Sequence, residues 1–247
     1  MNSRLTRALL IGTACLSVVS TASIQARQDA PAAAPAERVA ALKQSLQQSH
    51  ATLRKYEWIE TTIISLKGEE KSRKQQRCFY GADGKVQKLP LAGAEPAAPD
   101  AERGRRGGGR VKERIVENKK DEIQQYMERA VGLVHQYVPP QPEAVEAAKK
   151  AGKIAVSAAP GGRASLQFKD FIKPGDMLGA EIDQATNALA GLFVNSYLDA
   201  PADVVSLNVE FRALADGTNY AAQTTLDAKA KNIRVVIQNS GYKPISQ

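Results

Sequence analysis

Val205-Ser-Leu-Asn-Val-Glu-Phe-Arg212 decides the fold, because it alternates without a break. Val205, Leu207, Val209 and Phe211 fall on one side of an extended chain, and Ser206, Asn208, Glu210 and Arg212 on the other. Successive side chains of a strand leave opposite faces, so this segment is a strand with one apolar and one polar face. That is the signature of an antiparallel sheet with one face buried. Downstream, Asp216-Gly217 turns into a strand over Tyr220 to Ala228, and Asn232 leads into another over Ile233 to Gln238. Upstream, Ala164 to Ile172 also alternates, with Leu166 and Phe168 opposed to Gln167 and Lys169, and Lys173-Pro-Gly-Asp176 makes a turn. Met177 to Asp199 reads two ways: a strand pair turning near Ala185-Thr-Asn-Ala188, or a helix burying Leu189, Leu192 and Phe193. The alternation of Asp176 to Ile182 favours strands.

The N-terminal half supplies helices and a meander. Ala36 to Tyr56 places Val39, Leu42, Leu46 and Leu53 at helical spacing, with Lys43, Gln47, Gln48 and Arg54 elsewhere on the cylinder. From Tyr56 the β-branched and aromatic residues crowd together, predicting a strand to Leu66, a turn at Lys67-Gly68, a second strand over Glu70 to Tyr80, a turn at Gly81 to Gly84, and a third over Lys85 to Leu91. The second strand carries Lys71, Arg73, Lys74, Gln75, Gln76 and Arg77, so one face meets solvent or the strand lies at an edge. Val111 to Tyr137 returns to helical spacing and ends at Val138-Pro139-Pro140. Pro142 to Lys150 is a short helix opened by proline and closed by Gly152.

The first residues read as an export signal. Arg4 and Arg7 precede an apolar run from Ala8 to Val19, followed by small residues at Ser20, Thr21, Ala22 and Ser23. The run is shorter than the roughly 20 apolar residues of a membrane span, so cleavage is expected after Ala22 or Ala26, giving a signal peptide over 1–26 and a periplasmic or secreted product. Retention as an anchor and lipidation at Cys15 are the alternatives; Gly12 stands three residues before Cys15, where a lipoprotein signal has a large aliphatic residue. Residues 27–35 are a disordered Ala/Pro spacer, and 36–247 form a single α+β domain. Loss of Arg4 and Arg7 lowers the net charge from +8 to +6. Only Cys78 then remains, which excludes an internal disulfide.

Part of the basic excess sits in one insertion, about 92–110, made of Ala, Pro, Gly and Arg and expected to be disordered. Arg103, Arg105, Arg106 and Arg110 would contact an anionic membrane surface or acidic polymer; without interleaved aromatics they offer no stacking surface for specific nucleic acid recognition.

No catalytic constellation is readable. The chain has no Gly-x-Ser-x-Gly elbow, phosphate-cradling glycine loop, His-Glu-x-x-His or Cys-x-x-Cys. His50 and His135 stand on different helices and make no metal set with one cysteine. Cys78 reads as a small buried hydrophobe. Glu57 and Glu60 flank Trp58 but leave opposite faces of their strand, which separates them as an acid/base pair. Neither cofactor nor metal is expected, and the protein reads as non-enzymatic.

A helix from Val39 to Leu53 running into Tyr56 to Leu66, a meander, central helices and a C-terminal amphipathic sheet together resemble the periplasmic lipoprotein carriers, the LolA/LolB-like group. The resemblance lies in element order and implies a curved, mainly antiparallel sheet, an incomplete barrel, covered by amphipathic helices and holding acyl chains. No string around Arg73, Arg77 or Arg212 matches a family motif, so no functional arginine is carried over. A sheet of this kind either packs its apolar face fully or leaves room for a lipid-like ligand or lipoprotein acyl chain. Trp58, Ile64, Leu66, Leu207, Val209 and Phe211 are expected on that face. A packed adaptor whose Arg/Gly segment meets anionic partners is the second reading.

Overall fold

The computed structural model describes the backbone of residues 35–91 and 109–245, with side chains from 42 to 91 and from 121 to 245. The expected signal peptide, residues 27–34 of the spacer, and residues 92–108 with Arg103, Arg105 and Arg106 lie outside the described residues.

The chain runs α1 (Pro35–Leu53), β1 (Tyr56–Leu66), β2 (Glu69–Tyr80), β3 (Val86–Pro90), α2 (Gly109–His135), α3 (Pro142–Lys150), then β4 (Ile154–Ala159), β5 (Arg163–Lys169), β6 (Met177–Asp183), β7 (Leu189–Tyr197), β8 (Val204–Ala213), β9 (Asn219–Ala228) and β10 (Ile233–Pro244). All ten strands form one open antiparallel sheet, ordered β3-β2-β1-β10-β9-β8-β7-β6-β5-β4. This is the α+β curved sheet with helices read from the sequence.

Several bounds differ from expectation. Pro35, placed in the spacer, opens α1, where proline's missing N–H costs nothing. Arg110, placed in the insertion, belongs to the first turn of α2. The strand expected over Ala164 to Ile172 stops at Lys169, because Asp170 turns left-handed at φ 48° and accepts the Gly175 N–H at 2.7 Å. Residues 177–199 form two strands, joined by a turn with Asn187 at φ 54° and Asp183 accepting from the Ala185 and Thr186 N–H groups. The last strand runs past Gln238 to Pro244 because β1 pairs with it along its length, Tyr56 opposite Pro244 and Leu66 opposite Ile233. β4 was not expected; its alanines are poor strand formers, and it lies at the sheet edge.

The polar second strand meets both of its expectations in part. β3 pairs only with Gln76 to Tyr80, so the first half of β2 has no strand on its outer side. Its alternation is exposed, and Lys71–Glu69 and Arg73–Glu70 pairs line it, charges that discourage another chain from adding there. Lys67 and Gly68 turn the β1–β2 hairpin with positive φ at both positions, the geometry whose twist matches the strands.

Register aligns the apolar positions into rows that cross the sheet. Ile64, Val235, Leu226, Leu207, Val194, Leu178, Phe168 and Ile154 stand opposite one another from β1 through β10 to β4. Ala130, Leu133, Val134 and Tyr137 of α2 and Ala148 of α3 pack on this row from Leu226 to Phe168, forming the main core. Tyr126 extends that cover to Ala228 and Ile233, with Leu66 beside them.

Candidate ligand-binding trough

α1 lies toward one end of the strands and the α2–α3 pair toward the other, and the row between them is only half-buried. At one end, α1 is held by its buried Ser49, whose Oγ accepts the Asn219 N–H at 3.0 Å, while Asn219 Nδ2 donates to the Leu189 carbonyl at 2.8 Å. His50 of α1 meets the Tyr80 ring edge-on at 5.7 Å. Beneath it Trp58 stacks on Tyr242 at 5.5 Å, and Tyr242 lies 4.5 Å from Tyr220. Burial pushes the Tyr242 phenol well above its ordinary pKa.

At the other end, Tyr137 is fully buried and donates to Asp176, with Ser196 Oγ 2.8 Å away. Asp176 also accepts the backbone N–H groups of Phe171, Ile172 and Lys173. This carboxylate pins the end of α2 to the β5–β6 loop, and burial together with the Asp176 bond raises the Tyr137 pKa.

Between these covers runs a second row: Thr62, Ile237, Thr224, Val209, Leu192, Ala180, Leu166 and Val156. Val209 is buried, its neighbours are half-buried, and Val156 on the edge strand is 72 % exposed. Ile64, one row over, is 39 % exposed. Val209 belongs to the main core, and Leu166, Leu192, Phe211 and Ala221 pack half-buried against it, so this row is a shallow, partly open apolar trough, and an apolar chain laid in it would remove its remaining surface from water.

The trough changes character at β1. From β4 to β10, strand positions on this face carry no charged side chain. On β1 Glu60 is 8 % exposed and accepts two bonds from Lys88 Nζ, at 2.6 and 2.8 Å. Thr62 Oγ1 lies 3.4 Å from the same carboxylate. Trp58 Nε1 donates to Asn239 Oδ1 at 3.1 Å, and Asn239 Nδ2 donates to the Ala221 carbonyl at 2.9 Å, beside the β8–β9 bulge. Cys78 is fully buried, and burial raises its thiol pKa.

The six residues expected on the apolar face share it, in three settings. Leu207 and Leu66 lie under α2, Trp58 belongs to the aromatic cluster, and Val209, Phe211 and Ile64 border the trough. Glu57 is on the opposite face, 3.0 Å from Lys243 and 3.6 Å from Arg77, so it and Glu60 are separated by the sheet. Leu166 and Leu192 were read from the sequence only as apolar positions of their own segments, and Thr62, Ile237 and Val156 were not singled out; the register that aligns all five joins β1 to β10, and its only sequence signal is the apolar alternation of each strand. Among the described residues no group of carboxylates, histidines and cysteines could hold a metal.

No protein-family model and no curated protein matches the chain. Solved structures similar to it include a DUF1329 family protein from Desulfovibrio piger, at 9 % identity and a TM-score of 0.38 over 83 % of this chain and 92 % of that one. Another is a LolA superfamily protein from Nitrosomonas europaea, at 7 % identity and a TM-score of 0.34 over 83 % of this chain and 94 % of that one.

Proposed function

We propose that this is a non-enzymatic exported envelope protein that holds a lipid-like chain in the trough between α1 and the α2–α3 cover. The observation that carries the reading is the half-buried middle row from Leu166 to Ile237, aliphatic but for Thr224. The row from Leu166 in β5 to Thr62 in β1 crosses six strand spacings of about 4.8 Å, or about 29 Å in all. An acyl chain reaches about half of a ~30 Å bilayer core, so one chain fits along the row. The N-terminal Arg4, Arg7 and the Ala8 to Val19 run support export to the periplasm or beyond. Among the described residues no helix is long and apolar enough to cross a membrane.

Native mass spectrometry of protein purified from a bacterial envelope tests the reading, together with displacement of a fluorescent acyl probe. Co-purifying amphiphile, and probe binding lost in Leu192→Asp with the fold retained by circular dichroism, are the expected results. A clean apo mass and no probe binding by the wild type would refute it. Binding only to anionic vesicles, abolished by deleting residues 92–108, would instead favour the packed adaptor.

A further inference from the structure

Resting on that reading, the placement of charge along the trough says which amphiphile it fits. We infer that the ligand carries an anionic head, carboxylate or phosphate, bound at the β1–β2 end by Lys74, with its chain directed toward β4.

The argument begins from register. Lys74 stands directly opposite Thr62, and Lys88 opposite Cys78, which itself faces Trp58. Both lysines therefore project from the same sheet face as the apolar middle row, and Lys74 continues that row by one strand. The row is thus aliphatic from Val156 to Ile237 but for Thr224, weakly polar at Thr62, and cationic at Lys74.

The two lysines differ in what they already hold. Lys88 is bound to Glu60, a pair that is neutral overall. Lys74 is exposed and has neither a hydrogen bond nor an ion pair among the described residues. Glu69 also lies on this face, opposite Leu66 at the far end of β2, where it is paired with Lys71. The uncompensated charge beside the row's end is therefore positive. An anion there gains a charge-assisted bond with little desolvation cost to an exposed ammonium, whereas a cationic head would meet like charge.

Neutralising Glu60 with Lys88 adds a second effect. A free carboxylate at that position would repel an anionic head; bound to Lys88, it no longer does. The same trough without Lys74 would bind neutral and anionic amphiphiles alike.

Displacement of a fluorescent acyl probe by hexadecanoate, hexadecyl phosphate and hexadecanol tests this on the wild type, Lys74→Ala and Lys74→Glu. Because Lys74 is exposed and unpartnered, both variants fold. The wild type should prefer one or both anions over the alcohol by about tenfold or more at low salt, and which anion leads identifies the head. Lys74→Ala should lose most of that preference and Lys74→Glu should invert it, with alcohol affinity unchanged in both. Equal wild-type affinity for all three would overturn this inference while leaving the acyl-binding trough in place, as would a preference that survives both substitutions. Binding of none of them overturns the trough reading, and this inference with it.

Discussion

The Phe193 ring lies flat over Gly179, its partner across the β6–β7 ladder, so closely that a Cβ on residue 179 would stand 1.9 Å from Phe193 Cζ. The pair sits on the sheet face opposite the trough. The ring takes the place of the missing side chain and shields the backbone of both strands. Gly179→Ala should therefore destabilise the fold by about 1 to 3 kcal/mol, the usual cost of overpacking. Phe193→Leu in the same chain should recover part of that loss. Urea melts of the two single variants and the double variant measure it; additive losses would show that the ring is not the obstacle.

Tyr137→Phe should lower stability by about 1 to 3 kcal/mol, because it removes one of four donors from the buried Asp176 carboxylate. Asp176→Asn should cost more, since an amide cannot accept as many backbone N–H groups at both positions. Equilibrium unfolding gives both values, with an unchanged urea slope expected.

The phenols of Tyr126, Tyr137 and Tyr242 are all raised above the ordinary value of 10.0, chiefly by burial, with Asp203 and Asp176 adding to the first two. A raised folded pKa means that the fold favours the neutral phenol. Its contribution is fully present below about pH 10 and declines as pH climbs from there toward the folded pKa, because the unfolded chain ionises first. Stability should therefore fall steadily above pH 10, and phenolate absorbance should show three tyrosines ionising only with unfolding. Substituting phenylalanine at all three should flatten that alkaline decline.

Cys78, fully buried with its thiol pKa raised by burial, should react with a thiol reagent only when the chain unfolds. In a Cys15→Ser chain, labelling in buffer should be slow and labelling in denaturant complete within minutes. Rapid native labelling would place Cys78 at the surface.

Lys88→Ala should cost about 1 to 2 kcal/mol, less than the 3 to 5 of a fully buried pair because Lys88 is 42 % exposed. The loss comes mostly from stranding Glu60, so Glu60→Gln with Lys88→Ala should be more stable than Lys88→Ala alone. A double-mutant cycle reads the coupling.

Local pattern carried much of this architecture. Tyr56 to Leu66 and Pro142 to Lys150 lie where the crowding of β-branched and aromatic residues and the proline–glycine punctuation put them, since those signals are written in neighbouring residues. Ile154 to Ala159 escaped because three alanines give an edge strand no propensity of its own. The trough escaped for a different reason. Thr62 and Ile237 meet only through the β1–β10 pairing, and two threonines in a row dominated by aliphatics look unremarkable in any one strand. Glu60 was placed correctly on the face opposite Glu57, but its partner Lys88 lies two strands away, at a register that the meander alone does not fix.

The position of β10 between β1 and β9 has a consequence for biosynthesis. The β1–β2 hairpin joins the rest of the sheet only through β10, so β1 stays unpaired on that side until residues 233–244 exist. Such long-range closure is slow relative to local helix formation. The export proposed above would benefit from that delay, because the chain stays threadable until β10 is made. Conversely, a nonsense mutation just before residue 233 severs the N-terminal meander from the main body, and the fragment should be cleared by proteolysis.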